Sequence, residues 1–376
     1  MWGENQPVNV KTWLNIGIGI SIFLAGWGVG NPSQALDLRV AIYKGASSVK
    51  VGSSTSAVVR DGGGRTVGNL APLVPAVALA TGRNISLAGV TASQLTVEPS
   101  GDGVVWIGDR WYRGRVRLVR QGAGVTAVNQ VNIEEYLYSV VGSEAIPSWP
   151  LEALKAQAVA ARTYAIYQSN KESNRYYDLD TTTATQVYKG LNNEYVSTVE
   201  AVQQTQGQVM THGGKVILAA FHAASGGHTE NVEDVWTSPL PYLRGVIDYD
   251  QNSPVFQWSK SFSTQELSRY FAGVGSIQAL NPLRTTARGR VVTLQVEGSR
   301  ARKTFNGVKV RQLLGLRSTL FTVAREGATF TILGRGSGHG IGLSQWGAYS
   351  LAQQGTPYNQ ILSHYYQNSA LTRLNL

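Results

Sequence analysis

One acidic residue, Glu144, stands just ahead of a helical pattern in the stretch Gly142 to Gln168, GSEAIPSWPLEALKAQAVAARTYAIYQ. Pro147 and Pro150 stiffen the chain between them, because proline fixes its own φ and restricts the residue before it. Pro150 suits a first helical turn, Ser148 is a nearby capping candidate, and Glu152 suits the positive end of the helix dipole. Leu154, Ala158, Ala161 and Ala165 recur at i, i+4, i+7 and i+11, so they share one face, and three of the four are small enough for close approach. Lys155 and Arg162 flank that face about two turns apart. A carboxylate at a helix entrance with two cations beside a tight seam is the layout of an arranged site. The plainer reading is a helix cap or surface ion pair for Glu144, and a solvated helix edge for the two cations.

Three more clusters carry unusual side chains. From Gly334 to Trp346 the chain reads GRGSGHGIGLSQW, with glycine at every second position as far as Gly342. In an extended segment one face would be bare, open to a ligand or another backbone, and the other would show Arg335, Ser337, His339 and Ile341. The spacing is neither a P-loop nor a dinucleotide fingerprint. In Phe221 to Leu243 (FHAASGGHTENVEDVWTSPLPYL), Ser225-Gly226-Gly227 suggests a tight turn, without the strand–turn–helix elbow of a serine nucleophile. His222, His228 and Glu230 lie close in sequence, at spacings that match no zincin pattern. Asp180 to Gly190 (DTTTATQVYKG) offers Gln186 and Tyr188, a polar-aromatic pair suited to sugar contact or to an ordinary edge strand.

The elements that must position these groups are mixed. Alternating segments at Asp37–Tyr43, Ser47–Val59 and Val104–Val119 predict strands, the last turning at Gly108-Asp109. Helices are predicted within Glu194–Thr205, Ile341–Gln354 and Tyr358–Gln367, and a hairpin around Gly213-Gly214. No regular βαβ alternation is present, so the expected class is α+β, with a β-rich N-terminal part. The 376 residues, 43% hydrophobic and 15% charged, are ample for a core. A net charge of +10 favours an anionic partner, an acidic wall polymer or a membrane surface among them; with no compact basic run or nucleic-acid motif, no nucleic-acid partner is expected. The absence of cysteine excludes disulfides and thiolate metal sites. Trp13 to Val29 is uncharged and mostly apolar, follows Lys11, and precedes Ser33-Gln34-Ala35, a small-x-small cleavage pattern. Residues 1–35 are therefore read as a signal peptide or membrane anchor, with everything after them exported to the periplasm or cell wall. Residues 36–120 are read as a β-rich N-terminal region and 121–376 as the catalytic region.

Taken together the pieces resemble the stage II sporulation protein D family and its amidase-enhancer relatives. The resemblance rests on Tyr112-Arg113-Gly114, VNIEEYL (131–137), Glu144, EALKAQAVAARTY (152–164), QVYKG (186–190), Ser225-Gly226-Gly227, Pro241 to Leu243, GHGIGLSQWGA (338–348) and ILSHYY (361–366), in the family's order.

The resemblance implies a lytic transglycosylase that cuts peptidoglycan glycan strands, preferably strands stripped of stem peptides, and leaves anhydromuramoyl ends. The family's single essential glutamate maps onto Glu144 and its helix cations onto Lys155 and Arg162, here assigned to substrate orientation or oxyanion-like stabilisation. Gln186, Tyr188, Ser225, His339, Ser344 and Gln345 are the further candidates for sugar contact, in a long cleft walled by the glycine-rich segment. Hydrolytic glycosidases commonly use two carboxyl groups. A lytic transglycosylase needs one, which protonates the bridging oxygen and then deprotonates the sugar's own primary hydroxyl as that hydroxyl attacks. Glu144 would need a raised pKa from burial, opposed by Lys155 or Arg162 if either came close. Some relatives bind zinc through a His-Cys pair just before Gln-Val-Tyr; here those positions are Ala184 and Thr185, so no metal or other cofactor is expected. The alternative is a non-catalytic enhancer or wall-binding modulator of a partner amidase.

Overall fold

In Arg115–Gln121, Val116 and Leu118 are fully buried while Arg115 and Arg117 stay partly exposed, as the alternation requires of a strand with one wet face. A computed structural model describes residues 36–171, 176–182, 185–236 and 238–375. The leader expected over residues 1–35 lies outside the described residues, as does Ala184. The architecture is α+β. One sheet orders Leu179–Asp180, Asp37–Ala46, Gly124–Asn132, Arg115–Gln121, Gln94–Pro99, Ala57–Asp61 and Thr66–Leu70. A second orders Arg110–Tyr112, Val105–Ile107, Ser48–Ser53, Ala76–Thr81, Asn84–Leu87 and Val90–Ala92. Their apolar faces share one core, to which the first sheet gives Val40, Val59, Val97 and Leu118 and the second Val51, Ala78, Ile85 and Ile107. The turn expected at Gly108-Asp109 is present, with Val105–Ile107 antiparallel to Arg110–Tyr112.

The chain leaves Gly124–Asn132 directly into helix α1 (Ile133–Glu144), capped by the Asn132 side chain accepting from the Glu134 N–H at 2.9 Å. Helix α2 (Leu151–Ser169) follows, with Pro150 itself at the cap position and no side-chain cap from Ser148. The predicted alanine face of α2, with Leu154, Ala158, Ala161 and Ala165, packs into the sheet core. Ala153, Ala156, Val159 and Ala160 pack on another side against a second core of Ile341, Leu343, Ala348, Ile361 and Tyr365. The helix is thus enclosed, and its small residues are what let two layers close on it.

Enclosure decides the fate of the two helix cations. Arg162 is fully buried; its Nε and Nη2 donate to the Glu134 carboxylate at 2.9 and 2.5 Å, and Nη1 to the Gln208 carbonyl at 3.2 Å. It is a bidentate clamp between α2 and the first turn of α1, not a solvated edge. Lys155 pairs with Glu152 at 2.8 Å, and the other oxygen of Glu152 accepts the Tyr358 N–H at 2.8 Å, so Lys155 belongs to the joint between α2 and helix Tyr358–Tyr365.

A third core lies within residues 257–335, formed by strands Gln257–Ser263, Ile277–Thr285, Val291–Gly298, Arg302–Asn306, Phe321–Glu326 and Thr329–Arg335 with two short helices. Its first residue, Gln257, pairs with its last, Arg335, and the Gly336 N–H donates to the Phe256 carbonyl at 3.0 Å. No described helix is long and apolar enough to cross a membrane.

The glycine-rich segment departs from the expected extended form. The strand ends at Arg335, and Gly336, Gly338, Gly340 and Gly342 take φ of 68°, 108°, 82° and 68°. These are left-handed conformations that favour glycine. Their bare sides meet protein, not open space: a Cβ on Gly340 would lie 2.3 Å from the Arg290 guanidinium, and one on Gly342 would lie 2.2 Å from the Ala220 carbonyl oxygen.

Two outcomes follow from this packing. Arg162→Ala strands Glu134 in a buried site and should cost about 3–5 kcal/mol, read as a lowered urea midpoint. Gly340→Val should lower the melting temperature and soluble yield, because it combines a forbidden φ with a clash on Arg290; a variant as stable as the parent would contradict this packing.

Candidate functional site

A cavity of about 420 Å³ opens where α1, α2 and the segments after Ala220 and Gly336 converge. Glu144 lines it together with Tyr164, Thr185, Phe221, His222, Trp236, Arg311, Gly338, His339 and Gln345. Glu144 is the last residue of α1, so it sits at the helix C-terminus and not in a loop before α2. That is the negative end of a helix dipole, where a carboxylate is disfavoured.

The segment Gln186–Lys189 supplies its first partner. Gln186 is buried, with Nε2 donating to the Ala161 carbonyl at 3.1 Å and Oε1 accepting from the Tyr136 hydroxyl at 3.1 Å. Tyr188 is buried too, its hydroxyl donating to Asn129 Oδ1 at 2.8 Å. Between these two anchors, the Val187 N–H donates to Glu144 Oε1 at 2.8 Å. Farther along the same segment, the turn Gly190–Asn193 packs onto α1 at Gly142, where a Cβ would come within 2.1 Å of the Asn193 carbonyl oxygen.

The second partner comes from the far end of the chain. Ser344 caps helix Gln345–Gln353, accepting the Gly347 N–H at 3.3 Å. This places Gln345, whose amide bonds to Glu144 and lies 3.4 Å from Gln157 Oε1. Burial raises the Glu144 pKa above the ordinary value, and the Val187 N–H, Gln345 and the charge of Lys189 pull the other way in smaller measure. The opposing cation is therefore Lys189, where Lys155 or Arg162 had been expected.

Two histidines face each other on the opposite wall, ring centroids 5.3 Å apart. His222 Nδ1 lies 3.1 Å from the Ile341 carbonyl, which makes it the protonated nitrogen, and its Nε2 is buried without a partner among the described residues. Burial, with the nearby Arg290 charge, pushes His222 down to about 3. His339 Nδ1 accepts the Ile341 N–H at 3.0 Å, and burial beside His222 and Arg290 holds its pKa well below the usual range. Both rings are neutral over the physiological range. The exposed Trp236 ring lies tilted against His339, centroids 5.1 Å apart.

Of the residues singled out in the sequence, the cavity gathers Glu144, His222, His339 and Gln345. Lys155, Arg162, Gln186 and Tyr188 are packed into the scaffold around it, and Ser344 is a buried helix cap. Ser225 is buried elsewhere, its hydroxyl donating to Asp248 Oδ2 at 2.5 Å, while Asp250 accepts the N–H groups of Gly226 and Gly227. His222, His228 and Glu230 do not converge: Glu230 is buried against Arg290 and Thr286, and His228 bonds its neighbour's carbonyl. No cluster of three or more metal-ligating side chains occurs among the described residues. Tyr164, Phe221, Trp236, Arg311 and Lys189 were not singled out as site residues. Tyr164, Phe221, Trp236 and Lys189 lie inside quoted motifs, but nothing in their spacing separates a cavity wall from core. A larger depression of about 620 Å³ lies on strands Gln257–Ser263 and Thr329–Arg335 and is lined by no carboxylate.

A stage II sporulation protein family profile matches residues 121–212, and a domain of unknown function matches residues 243–342. The chain is 37% identical to stage II sporulation protein D of Bacillus amyloliquefaciens, over 64% of this chain and 74% of that protein. It belongs to the stage II sporulation protein D family. An uncharacterised protein of Brachyspira hyodysenteriae is 34% identical over 78% of this chain and 80% of its own length. An amidase enhancer of Bacillus subtilis is 32% identical over 63% of this chain and 40% of its own length.

The raised Glu144 pKa has a direction for stability. The protonated form is favoured in the folded state, so its contribution is full below the unfolded carboxylate value of about 4.3 and is lost as pH rises through the folded value. Glu144→Gln does not titrate and should melt higher than the parent at neutral pH, with the difference shrinking toward about pH 4. Melting curves across that range that stay parallel would contradict the burial-driven shift.

Proposed function

We propose that this protein works on the cell wall as a peptidoglycan lytic transglycosylase, with Glu144 as both acid and base. One observation carries the reading: among the described residues lining the cavity, Glu144 is the only carboxylate, and burial favours its protonated form. A hydrolase of the usual kind needs a second carboxylate to manage water or a covalent intermediate. An intramolecular reaction does not. With Oε1 held by the Val187 N–H, the acidic proton sits on Oε2 and passes to the bridging glycosidic oxygen as the bond to the sugar breaks. The resulting carboxylate takes the proton of the sugar's primary hydroxyl, which closes on the anomeric carbon and leaves an anhydro end. Tethering that hydroxyl removes most of the entropic cost of bringing a nucleophile. Trp236, Phe221 and Tyr164 supply apolar walls for sugar rings, and Gln345 and Lys189 stabilise the carboxylate once it forms. The neutral rings of His222 and His339 shape the wall without adding charge.

The similarity to an amidase enhancer supports a second reading, in which the same cavity binds glycan and modulates a partner amidase without cutting. One experiment separates them. Purified protein is incubated with glycan strands freed of stem peptides, and the ends are read by mass spectrometry. Anhydro ends formed by the parent and lost in a folded, glycan-binding Glu144→Gln are expected. Undiminished turnover in that variant would remove Glu144 from the chemistry, and binding with no anhydro ends in the parent would favour the modulator.

A further inference from the structure

From Thr66 to Gly82 the chain carries no charged side chain, and its middle, Ala71 to Leu79 (APLVPAVAL), is wholly apolar. Most of that run is turned outward. Leu73, Val74, Val77 and Leu79 are 69%, 58%, 46% and 45% exposed, a contiguous apolar surface of the kind that marks a partner or a membrane. Leu73 also sits at φ 60°, a conformation that bulky side chains rarely adopt. It is pinned there, with its N–H donating to the Ser53 carbonyl at 2.8 Å and with Pro72 and Pro75 stiffening the loop. The backbone thus holds two large apolar side chains away from the core.

The loop continues onto the outer face of the second sheet. In strand Ala76–Thr81, Ala78 enters the core while Val77 and Leu79 face out. Pro75 and Trp106 meet over Gly52, where a Cβ would lie 3.5 Å from the one and 3.6 Å from the other. The Trp106 ring packs edge-on against Trp111, centroids 5.2 Å apart. Val77 pairs in register with Lys50. Lys50 is exposed, as is Arg83 just past the run, and neither makes an ion pair with a described carboxylate. Residues 38–97 contain a single carboxylate, Asp61, and Arg65 pairs with it at 2.7 Å. Aliphatic side chains, tryptophan rings and unpaired cations on one face are the composition of a surface that meets the headgroup region of a bilayer.

The register of the first sheet locates the loop relative to the incoming chain. Asp37 pairs with Asn132, and Arg115, two strands over, reaches Asp37 at 3.3 Å and Glu98 at 3.9 Å. Pro99 pairs with Ala57, and Ala57 with Leu70. Asp37 and Leu70 therefore close the same end of the sheet, about 24 Å apart across five strand spacings, and the loop starts from that end. Residues 30–35 separate the apolar run Trp13 to Val29 from Leu36, and that much chain spans at most about 25 Å. A bilayer that held the run would be within reach of this end of the sheet. We infer that the loop Ala71–Pro75, with Val77 and Leu79, is a lipid-contacting surface that seats this end of the β-rich part in the headgroup layer of a bilayer. Leu73 and Val74 enter the acyl boundary, Trp106 lies at its edge, and Lys50 and Arg83 meet lipid phosphates. The surface shares no residue with the Glu144 cavity, so the inference stands whether or not that cavity cuts glycan.

The chain has no cysteine, so Leu73→Cys accepts a single label. The test uses the full chain with an environment-sensitive fluorophore at that position and vesicles of phosphatidylethanolamine and phosphatidylglycerol. Expected are a blue shift of the emission when vesicles are added and loss of that emission to lipids carrying a nitroxide just beneath the headgroup. The same label at the exposed Thr322, on strand Phe321–Glu326 outside the patch, should show neither. Adding Val74→Asp and Val77→Asp to the Leu73→Cys chain should abolish both responses and leave the melting temperature in place, because both side chains already face water. A label at position 73 that stays in water, an equal response at positions 73 and 322, or a response that survives the two aspartates would each overturn the inference. So would a blue shift present before vesicles are added. Independent of protein concentration, it would give the surface to residues 13–29 of the same chain; rising with concentration, it would give it to a second copy.

Discussion

Everything that meets at Glu144 hangs on α2, a nineteen-residue helix with protein on all sides. Such a helix cannot carry long polar side chains unless each finds a partner, because an unpaired buried charge is far more costly than a lost contact. Its alanines let the sheet core and the second core close on it. Its one fully buried charge, Arg162, is met by Glu134 in the first turn of α1. That pair sets where α1 starts. Ten residues beyond Glu134, about 15 Å along the axis, the same helix ends at Glu144. The carboxylate's position is a consequence of an ion pair at the other end of its helix.

The electrostatics of the cavity follow from what surrounds that end. Burial and the helix C-terminus favour the protonated acid, while one backbone N–H, one amide and the charge of Lys189 temper the shift without abolishing it. The histidines nearby are held neutral by burial and by Arg290. Burial thus moves the Glu144 carboxyl up from its ordinary value and the imidazoles down from theirs. The cations that the helix pattern placed beside it are engaged elsewhere, so they do not hold the acid ionised.

The glycine-rich segment shows how a correct association can rest on a different geometry. Alternating glycine suggested a strand with a bare face for sugar. Instead the glycines adopt left-handed turns packed against Ala220, His222, Ala224 and Arg290, and the side chains between them do the facing. The segment reaches the cavity because it is folded tightly onto the Phe221–Gly227 run, which brings His339 and Gln345 to a carboxylate nearly two hundred positions earlier. Gln186 and Tyr188 follow a similar logic: their polar atoms are turned inward, and the contribution to the site is the backbone N–H of Val187 between them.

The sequence by itself determined the elements and the family. Alternation marks the strands, since a half-buried sheet needs one apolar side; the alanine periodicity marks the face of α2 that enters the core; the long motifs around 152–164 and 338–348 carry the kinship. It also singled out Glu144, which lines the cavity. What only the tertiary structure decided is which polar residues reach the cavity. Arg162, Lys155, Gln186, Tyr188, Ser225 and Ser344 have the same chemical types as site residues, and local spacing cannot tell a group that meets solvent from one that meets a partner folded in from far along the chain. That choice depends on long-range burial, where an unpaired polar atom is expensive, and so it is made by the assembled cores and by no single segment.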